Sequence, residues 1–273
     1  MHPRELLQRF GYRPKKRLGQ NFLVDSGAAA RIAQLAAGSG QERVLEIGPG
    51  TGTLTHALVE ARANVTAIEL DENMLRVMRS RDDLAGATLV QGDALMFDYA
   101  AFAAGQPWTV TGNLPYNIAT PLILRFVEME DGPQTIVVMM QKDVVDRLRA
   151  KPGTRAYGSL SVAVQYAMTV ERAFTLSPRA FYPQPKVDSS IVVLRRRDQP
   201  AVTVTDEARF WQVVRGAFAY RRKTLANSLS LALHIERAAV TGVLRSLDYD
   251  TEIRGEQLAI GDFAKIADAL PAC

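Results

Sequence analysis

The chain has 273 residues, 47% hydrophobic and 23% charged, with a net charge of +4. This composition argues against disorder, no apolar run approaches the ~18 residues that carry a helix across a bilayer, and a lone cysteine, Cys273, excludes an intramolecular disulfide and a cysteine-rich metal site. The positive charge is gathered in RPKKR (13–17), RRR (195–197) and YRRK (220–223); any one cluster alone reads as a solvated face, but the three together predict a polyanionic partner.

In chain order, the basic N-terminal stretch runs into polar GQNFLVDSG and not into an apolar signal core, so a cytoplasmic protein is expected. Short apolar runs then alternate with helical stretches. RVLEIG (43–48), NVTAIEL (64–70), ATLVQGD (87–93), WTVTGN (108–113) and TIVVMMQ (135–141) read as strands buried on both faces. LTHALVEAR, ENMLRVMRS and TPLILRFVEM suit the right-handed crossovers between them, which predicts a doubly wound, Rossmann-like α/β sheet. GSLSVAVQYAM (158–168) and SSIVVLRRR (189–197) read as two further strands that extend the sheet as an antiparallel edge. From Asp206 the spacing is helical, through ARFWQVVRGAFAYRRKTLANSLS, RAAVTGVLRSL and GDFAKIADAL. The expected division is therefore a sheet domain over 1–197, basic segment included, and a small all-helical domain over 198–273.

Behind the first strand stands GPGTG (48–52), where glycines let the backbone turn sharply and approach a ligand at the strand's carboxyl end. Thr53 occupies the place of the third glycine of a dinucleotide fingerprint, and no Gly-Lys-Ser/Thr follows to make a P-loop. Glu69 ends the second strand, where a carboxylate accepts the hydroxyls of a ribose, and Asp93 ends the third, within reach of an adenine amino group. One such acid alone could simply cap the next helix. Gly48 and its loop, Glu69 and Asp93 on three successive strand ends predict a pocket for an adenosine that carries a small charged group, and S-adenosyl-L-methionine is the expected cofactor.

The fourth strand delivers Asn113-Leu114-Pro115-Tyr116 to the same rim. Read alone, these four residues are a strand-ending turn. Read beside the acidic rim, they suit chemistry on an exocyclic amine, whose lone pair is delocalised into the purine ring. The Asn113 amide oxygen and the Leu114 carbonyl would accept its two N–H bonds, Pro115 would hold those carbonyls outward, and Tyr116 would stack on the base, worth about 1–3 kcal/mol. His2, His56 and His234 share no ligand spacing, so no metal is expected.

These motifs, with RPKKRLGQNFLVD (13–25), VLEIGPGTGTLT (44–55), AIELD (67–71), QGDAL (91–95), TGNLPYNIATPLI (111–123) and FYPQPKVDSSIVVL (181–194), resemble the ribosomal RNA adenine dimethyltransferase family, most of all its bacterial small-subunit members linked to kasugamycin sensitivity. The resemblance spans about residues 9–230. It implies dimethylation at N6 of two adjacent adenines in a hairpin near the 3′ end of 16S rRNA, in the small subunit or its precursor. It further implies that Asn21 and Leu23 lie over the cofactor with Gly48 against it, that Asn113 sits between cofactor and target amine, and that Phe181 closes the target base opposite Tyr116. Phe181 alone also reads as core. Two other functions stay open at this point: a 23S rRNA adenine N6-methyltransferase of the macrolide-resistance kind, and a chiefly non-catalytic RNA-binding assembly factor. A monomer is expected, since no helical seam suggests otherwise.

Overall fold

The structure of the protein, a computed structural model, describes residues 2–15, 18–38 and 43–271, the side chains of Tyr116 and Asn117 excepted. Lys16, Arg17, Cys273 and the Tyr116 ring, all singled out above, lie outside the described residues.

The elements run α1 (Pro3–Arg9), β1 (Phe22–Leu23), α2 (Ser26–Ala37), β2 (Arg43–Ile47), α3 (Thr53–Glu60), β3 (Asn64–Glu69), α4 (Glu72–Arg79), β4 (Ala87–Gln91), α5 (Tyr99–Ala103), β5 (Trp108–Asn113), α6 (Tyr116–Glu128) and β6 (Thr135–Gln141). There follow α7 (Lys142–Leu148), α8 (Ser159–Ala167), β7 (Met168–Leu176), β8 (Phe181–Tyr182), β9 (Ser189–Arg196), α9 (Glu207–Ala219), α10 (Leu225–Leu233), α11 (Arg237–Ser246) and α12 (Ile260–Ala269). Among the described residues the main sheet has the order β4-β3-β2-β5-β6-β9-β7, with β1 and β8 paired separately. The strands from β4 to β6 are parallel, and β9 runs antiparallel to β6. Strand β2 carries β3 on one side and β5 on the other, so the chain winds outward from it in both directions and leaves a crevice at the carboxyl ends. On one face of the sheet α2 and α3 bury Ile32, Leu54 and Leu58 against Val44, Val137 and Val193. Among the described residues no helix is long and apolar enough to cross a membrane.

The chain divides into two compact units. The first comprises residues up to Val145 together with Val170–Arg196; the second comprises Asp146–Thr169 and the chain from Arg197 on. The uninterrupted 1–197 domain expected from the sequence therefore loses an internal stretch to the second unit. The reason is that this stretch is occupied by the helix α8, Ser159–Ala167, where a strand was expected. In α8 the i, i+4 pair Val162 and Tyr166 joins Phe210, Val213, Leu229 and Phe263 in the core of the second unit. Five consecutive buried residues, Leu160 to Val164, are equally compatible with a central strand and a buried helix, and periodicity alone does not separate them. The strand of this region is instead β7, whose half-exposed MTVERAFTL lacks a continuous apolar run; it takes the sheet edge and leaves β9 inside. The long helical stretch after Asp206 breaks between Ala219 and Leu225 into α9 and α10.

Candidate active site

A cavity of about 250 Å³ opens at the carboxyl ends of β2, β3 and β5, where the winding direction changes. The sheet ladder extends one step into each loop that lines it. Gly48 N–H donates to the Ile68 carbonyl (2.9 Å), Gly92 N–H to that of Glu69 (3.0 Å) and Leu114 N–H to that of Met139 (3.3 Å). These bonds fix where each strand's last side chain points.

Two glycines are required by contact as well as by conformation. At Gly50, with φ +58°, a β-carbon would lie 2.6 Å from Phe22 Cδ1. At Gly112, with φ +147°, it would collide with the Ile47 carbonyl oxygen, the point where β5 and β2 pair. The glycine loop closes on Glu69: Gly50 N–H donates to Oε2 (3.3 Å) and Asp71 N–H to Oε1 (2.9 Å). Burial pushes the Glu69 carboxyl above its ordinary value, while those two amides pull it back. Glu46, 1% exposed, also lines the cavity and accepts from the Thr55 hydroxyl at 2.6 Å. Burial raises its pKa to about 8, against the Thr55 hydrogen bond and with the Glu69 charge adding to the rise.

Asn113 faces the cavity from the end of β5. Its Nδ2 donates to the Asn21 main-chain carbonyl at 2.7 Å, and because a carbonyl only accepts, this contact fixes which end of the amide is nitrogen. Oδ1 is left as its acceptor, with no donor to it among the described residues. Asn21 in turn donates from Nδ2 to the Gly19 carbonyl (3.1 Å), and Leu23 is buried beside it. Pro115 adopts φ −55° and ψ 137°, outside the helical region, and α6 begins at the next residue. Ile118 and Ala119 both donate to the Pro115 carbonyl, and among the described residues no donor reaches the Leu114 carbonyl, although the Leu114 side chain is buried.

The structure thus gathers Asn21, Leu23, Gly48, Glu69, Asp93, Asn113 and Pro115 around one cavity. Asp93 is exposed at the mouth, with Oδ1 accepting from Leu95 N–H (2.8 Å) and Oδ2 free of that bond. Phe181 departs from its expected place. It is 2% exposed, pairs across β8 and β1 with Leu23, and packs in the core cluster with Met139 and Ile191, so its ring faces are covered by the protein. An aromatic residue that opens a two-residue strand against β1 is claimed by that pairing. The sequence reading missed Glu46, and also Gln20, Leu70 and Leu95 in the cavity wall. Glu46 had a signal: a carboxylate inside the apolar run VLEI, on a strand buried on both faces. Leu70 and Leu95 sit beside the acids Glu69 and Asp93 and carry no signal of their own.

No lysine, arginine or histidine is among the described residues lining the cavity, whereas three acidic side chains are, of which Glu46, with its pKa raised to about 8, is protonated at neutral pH. Such a lining repels phosphates and favours a ligand that offers hydroxyls, amines and positive charge.

The chain is also similar to known proteins. Residues 11–270 match the family model described as ribosomal RNA adenine dimethylase. Proteins named ribosomal RNA small subunit methyltransferase A from Bacillus mycoides and Bacillus cereus are each 40% identical over 98% of this chain and 94% of their own. Among solved structures, a dimethyladenosine transferase from Plasmodium falciparum superposes with a TM-score of 0.74 at 26% identity, covering 90% of this chain and 95% of that one. The 23S rRNA methyltransferase ErmE gives 0.69 at 25% identity, covering 92% and 99%. With one family model spanning nearly its whole length, this chain belongs to the ribosomal RNA adenine dimethylase family.

Proposed function

We propose that the chain is an S-adenosylmethionine-dependent enzyme that dimethylates N6 of two adjacent adenines in a hairpin near the 3′ end of 16S rRNA, within the small ribosomal subunit or its precursor. It acts as a cytoplasmic monomer. The observation that carries this reading is the Asn113 amide, tied by its nitrogen and open at its oxygen, at the edge of a cavity with three acidic side chains and no basic lining. That set of acceptors fits the cofactor: Glu69 offers them to ribose hydroxyls and Asp93 Oδ2 to an adenine amine, and an acidic wall without a basic residue suits a cation. The cofactor supplies an electrophilic methyl group on a positively charged sulfur.

The chain's own residues prepare the nucleophile. An adenine amine donates one N–H to Asn113 Oδ1 and the other to the Leu114 carbonyl, which draws its lone pair out of conjugation with the ring and localises it on the nitrogen. As that nitrogen would take the methyl group, positive charge would grow on it between two oxygens already in place, so little reorganisation is needed, and the nitrogen would then release one proton to solvent. Pro115, which has no N–H, cannot compete for either acceptor. The target adenine reaches these acceptors only when turned out of its stack. With Phe181 covered, stacking on the base falls to Tyr116.

The 40% identity to proteins named for the small subunit favours that substrate over the 23S RNA named for ErmE at 25%. Incubating the protein with separated small and large subunits and labelled cofactor should give N6,N6-dimethyladenosine, read by mass spectrometry, in small-subunit RNA. Label confined to 23S RNA would overturn the substrate assignment. Asn113→Ala should abolish transfer and leave RNA binding in place; undiminished turnover would remove Asn113 from its role.

A further inference from the structure

The segment that carries Asn21 is fastened to the sheet domain through one carboxylate. Asp71 caps α4 with Oδ1, which accepts from Asn73 N–H at 3.1 Å. Its Oδ2 receives the Lys15 ammonium at 2.7 Å, the Tyr12 hydroxyl at 2.5 Å and the Gln20 amide at 3.4 Å. Gln20 joins the same knot through Oε1, which accepts from Lys15 N–H at 2.8 Å and lies 2.9 Å from the Tyr12 hydroxyl. Lys15 also stands over the Tyr12 ring, 5.4 Å from its centre. Burial pushes the Asp71 carboxyl up, but Lys15 and Tyr12 outweigh it and hold the group below its ordinary value. The residue after Gln20 is Asn21, whose carbonyl receives Asn113 Nδ2.

We propose that Asp71 is a positioning residue for methyl transfer: by gripping Tyr12, Lys15 and Gln20 it fixes the Asn21 carbonyl, and that carbonyl turns the Asn113 oxygen toward the target amine. This inference rests on the role proposed above for Asn113. The link is indirect yet short. Asp71 to Gln20, Gln20 to Asn21, and Asn21 to Asn113 are each a single hydrogen bond or a single peptide step.

Three donors on one oxygen make the clasp cooperative, and loss of that oxygen releases all three together. The segment would not come away, because β1 stays paired with β8 and Phe22 stays packed with Leu6, Leu7, Met74 and Val77. What is lost is the exact seat of Asn21. A shift of that size lowers the rate of a reaction that depends on alignment while leaving the fold intact.

The two oxygens of Asp71 do separate jobs, so they can be separated by mutation. Asp71→Ser keeps a good helix cap and cannot reach Tyr12, Lys15 or Gln20. In single-turnover methylation of small-subunit particles at saturating cofactor, Asp71→Ser should be slower by about 10- to 100-fold. Hydrogen exchange should accelerate over 18–23 and stay unchanged across α4. Tyr12→Phe alone should slow transfer less, and in the Asp71→Ser background it should add nothing, since both act through one clasp.

A wild-type rate in Asp71→Ser, unchanged exchange over 18–23, or effects of Tyr12→Phe and Asp71→Ser that multiply would each overturn the proposal. Faster exchange across α4 would assign the loss to the cap and overturn it as well. Asn113→Ala run alongside separates the two levels of argument. Full activity there removes the reading of the site itself, whereas an inactive Asn113→Ala beside a fully active Asp71→Ser removes the clasp alone.

Discussion

The strand ends and the N-terminal segment wall the same cavity but are held in unlike ways. Gly48, Gly92 and Leu114 are placed by main-chain bonds to the neighbouring strand, which any side chain of suitable conformation would permit. Asn21 is placed by a side-chain clasp whose partners, Tyr12 and Lys15, stand 59 and 56 residues from Asp71 in the chain. The strand ends are therefore set by local pattern and the segment by a few distant pairs, so the segment should be the more adjustable of the two. This division suits an enzyme whose cofactor crevice must be rigid while the element crossing it orients a single amide.

The comparison breaks most completely at Gly112. Gly112→Ala places a β-carbon against the Ile47 carbonyl in a conformation that L-residues avoid, so β5 cannot stay paired with β2 at the cavity. The cost should be about 4 kcal/mol or more, because backbone has to move. Urea unfolding reads it directly; a midpoint within error of wild type would show that the strand ends are as adjustable as the segment.

Glu46 tests the rigid side electrostatically. Its pKa rises from 4.5 unfolded to about 8 folded, so between those values the folded chain binds the extra proton. The stability this contributes is complete below pH 4.5 and is lost as pH rises through about 8. Glu46→Gln keeps an acceptor for Thr55 and has no proton to lose. It should flatten the decline and leave the variant more stable than wild type above pH 8 by on the order of 2–4 kcal/mol. Thermal unfolding from pH 5 to pH 9 measures this, and parallel curves for the two proteins would mean that Glu46 is ionised in the fold.

The same contrast explains what could be read in advance. Strands β2, β3, β5 and β6 were legible because burial on both faces writes continuous apolar runs. Strand β4 was expected to be buried in the same way, but it takes the sheet edge and has no buried residue. Glu69, Asp93 and Asn113 were legible because they stand at or just past the strand ends. Strand β7 was not, since its half-exposed residues carry no run, and α8 read as a strand because a helix buried all round looks the same over ten residues. The covered ring of Phe181 depends on a two-residue pairing that leaves no pattern. The Asp71 clasp is less legible still: in the sequence Asp71 is only a residue before a helix, and nothing near it points to Tyr12.

Gly50 is where the two regions meet. Gly50→Ala would force an L-residue to φ +58° and push the new β-carbon onto the Phe22 ring. The left-handed conformation costs about 1–2 kcal/mol, and the Phe22 ring, which packs with Leu6, Leu7, Met74 and Val77, has to shift as well. The expected result is a modest loss in denaturant midpoint with a larger loss of cofactor affinity by calorimetry, since Phe22 and Gly50 both line the cavity. Affinity equal to wild type would show that the segment can move without disturbing the crevice.

The smallest effects distinguish the clasp's own bonds. Tyr12→Phe removes a hydroxyl from a buried carboxylate and should cost about 1–2 kcal/mol, as hydrogen bonds to charged groups do. Lys15→Met removes an ammonium that is 32% exposed, paired with a carboxylate that is 3% exposed. Solvent screens the exposed partner, so this loss should be smaller, about 0.5–1 kcal/mol, and should shrink further as salt is raised. The Tyr12 loss should persist in high salt, because a short hydrogen bond to a buried oxygen is screened little. Melting temperatures of both variants at low and high salt decide the matter: if Lys15→Met is the more damaging at high salt, the clasp is held by its ion pair, and the segment is less adjustable than its exposed lysine implies.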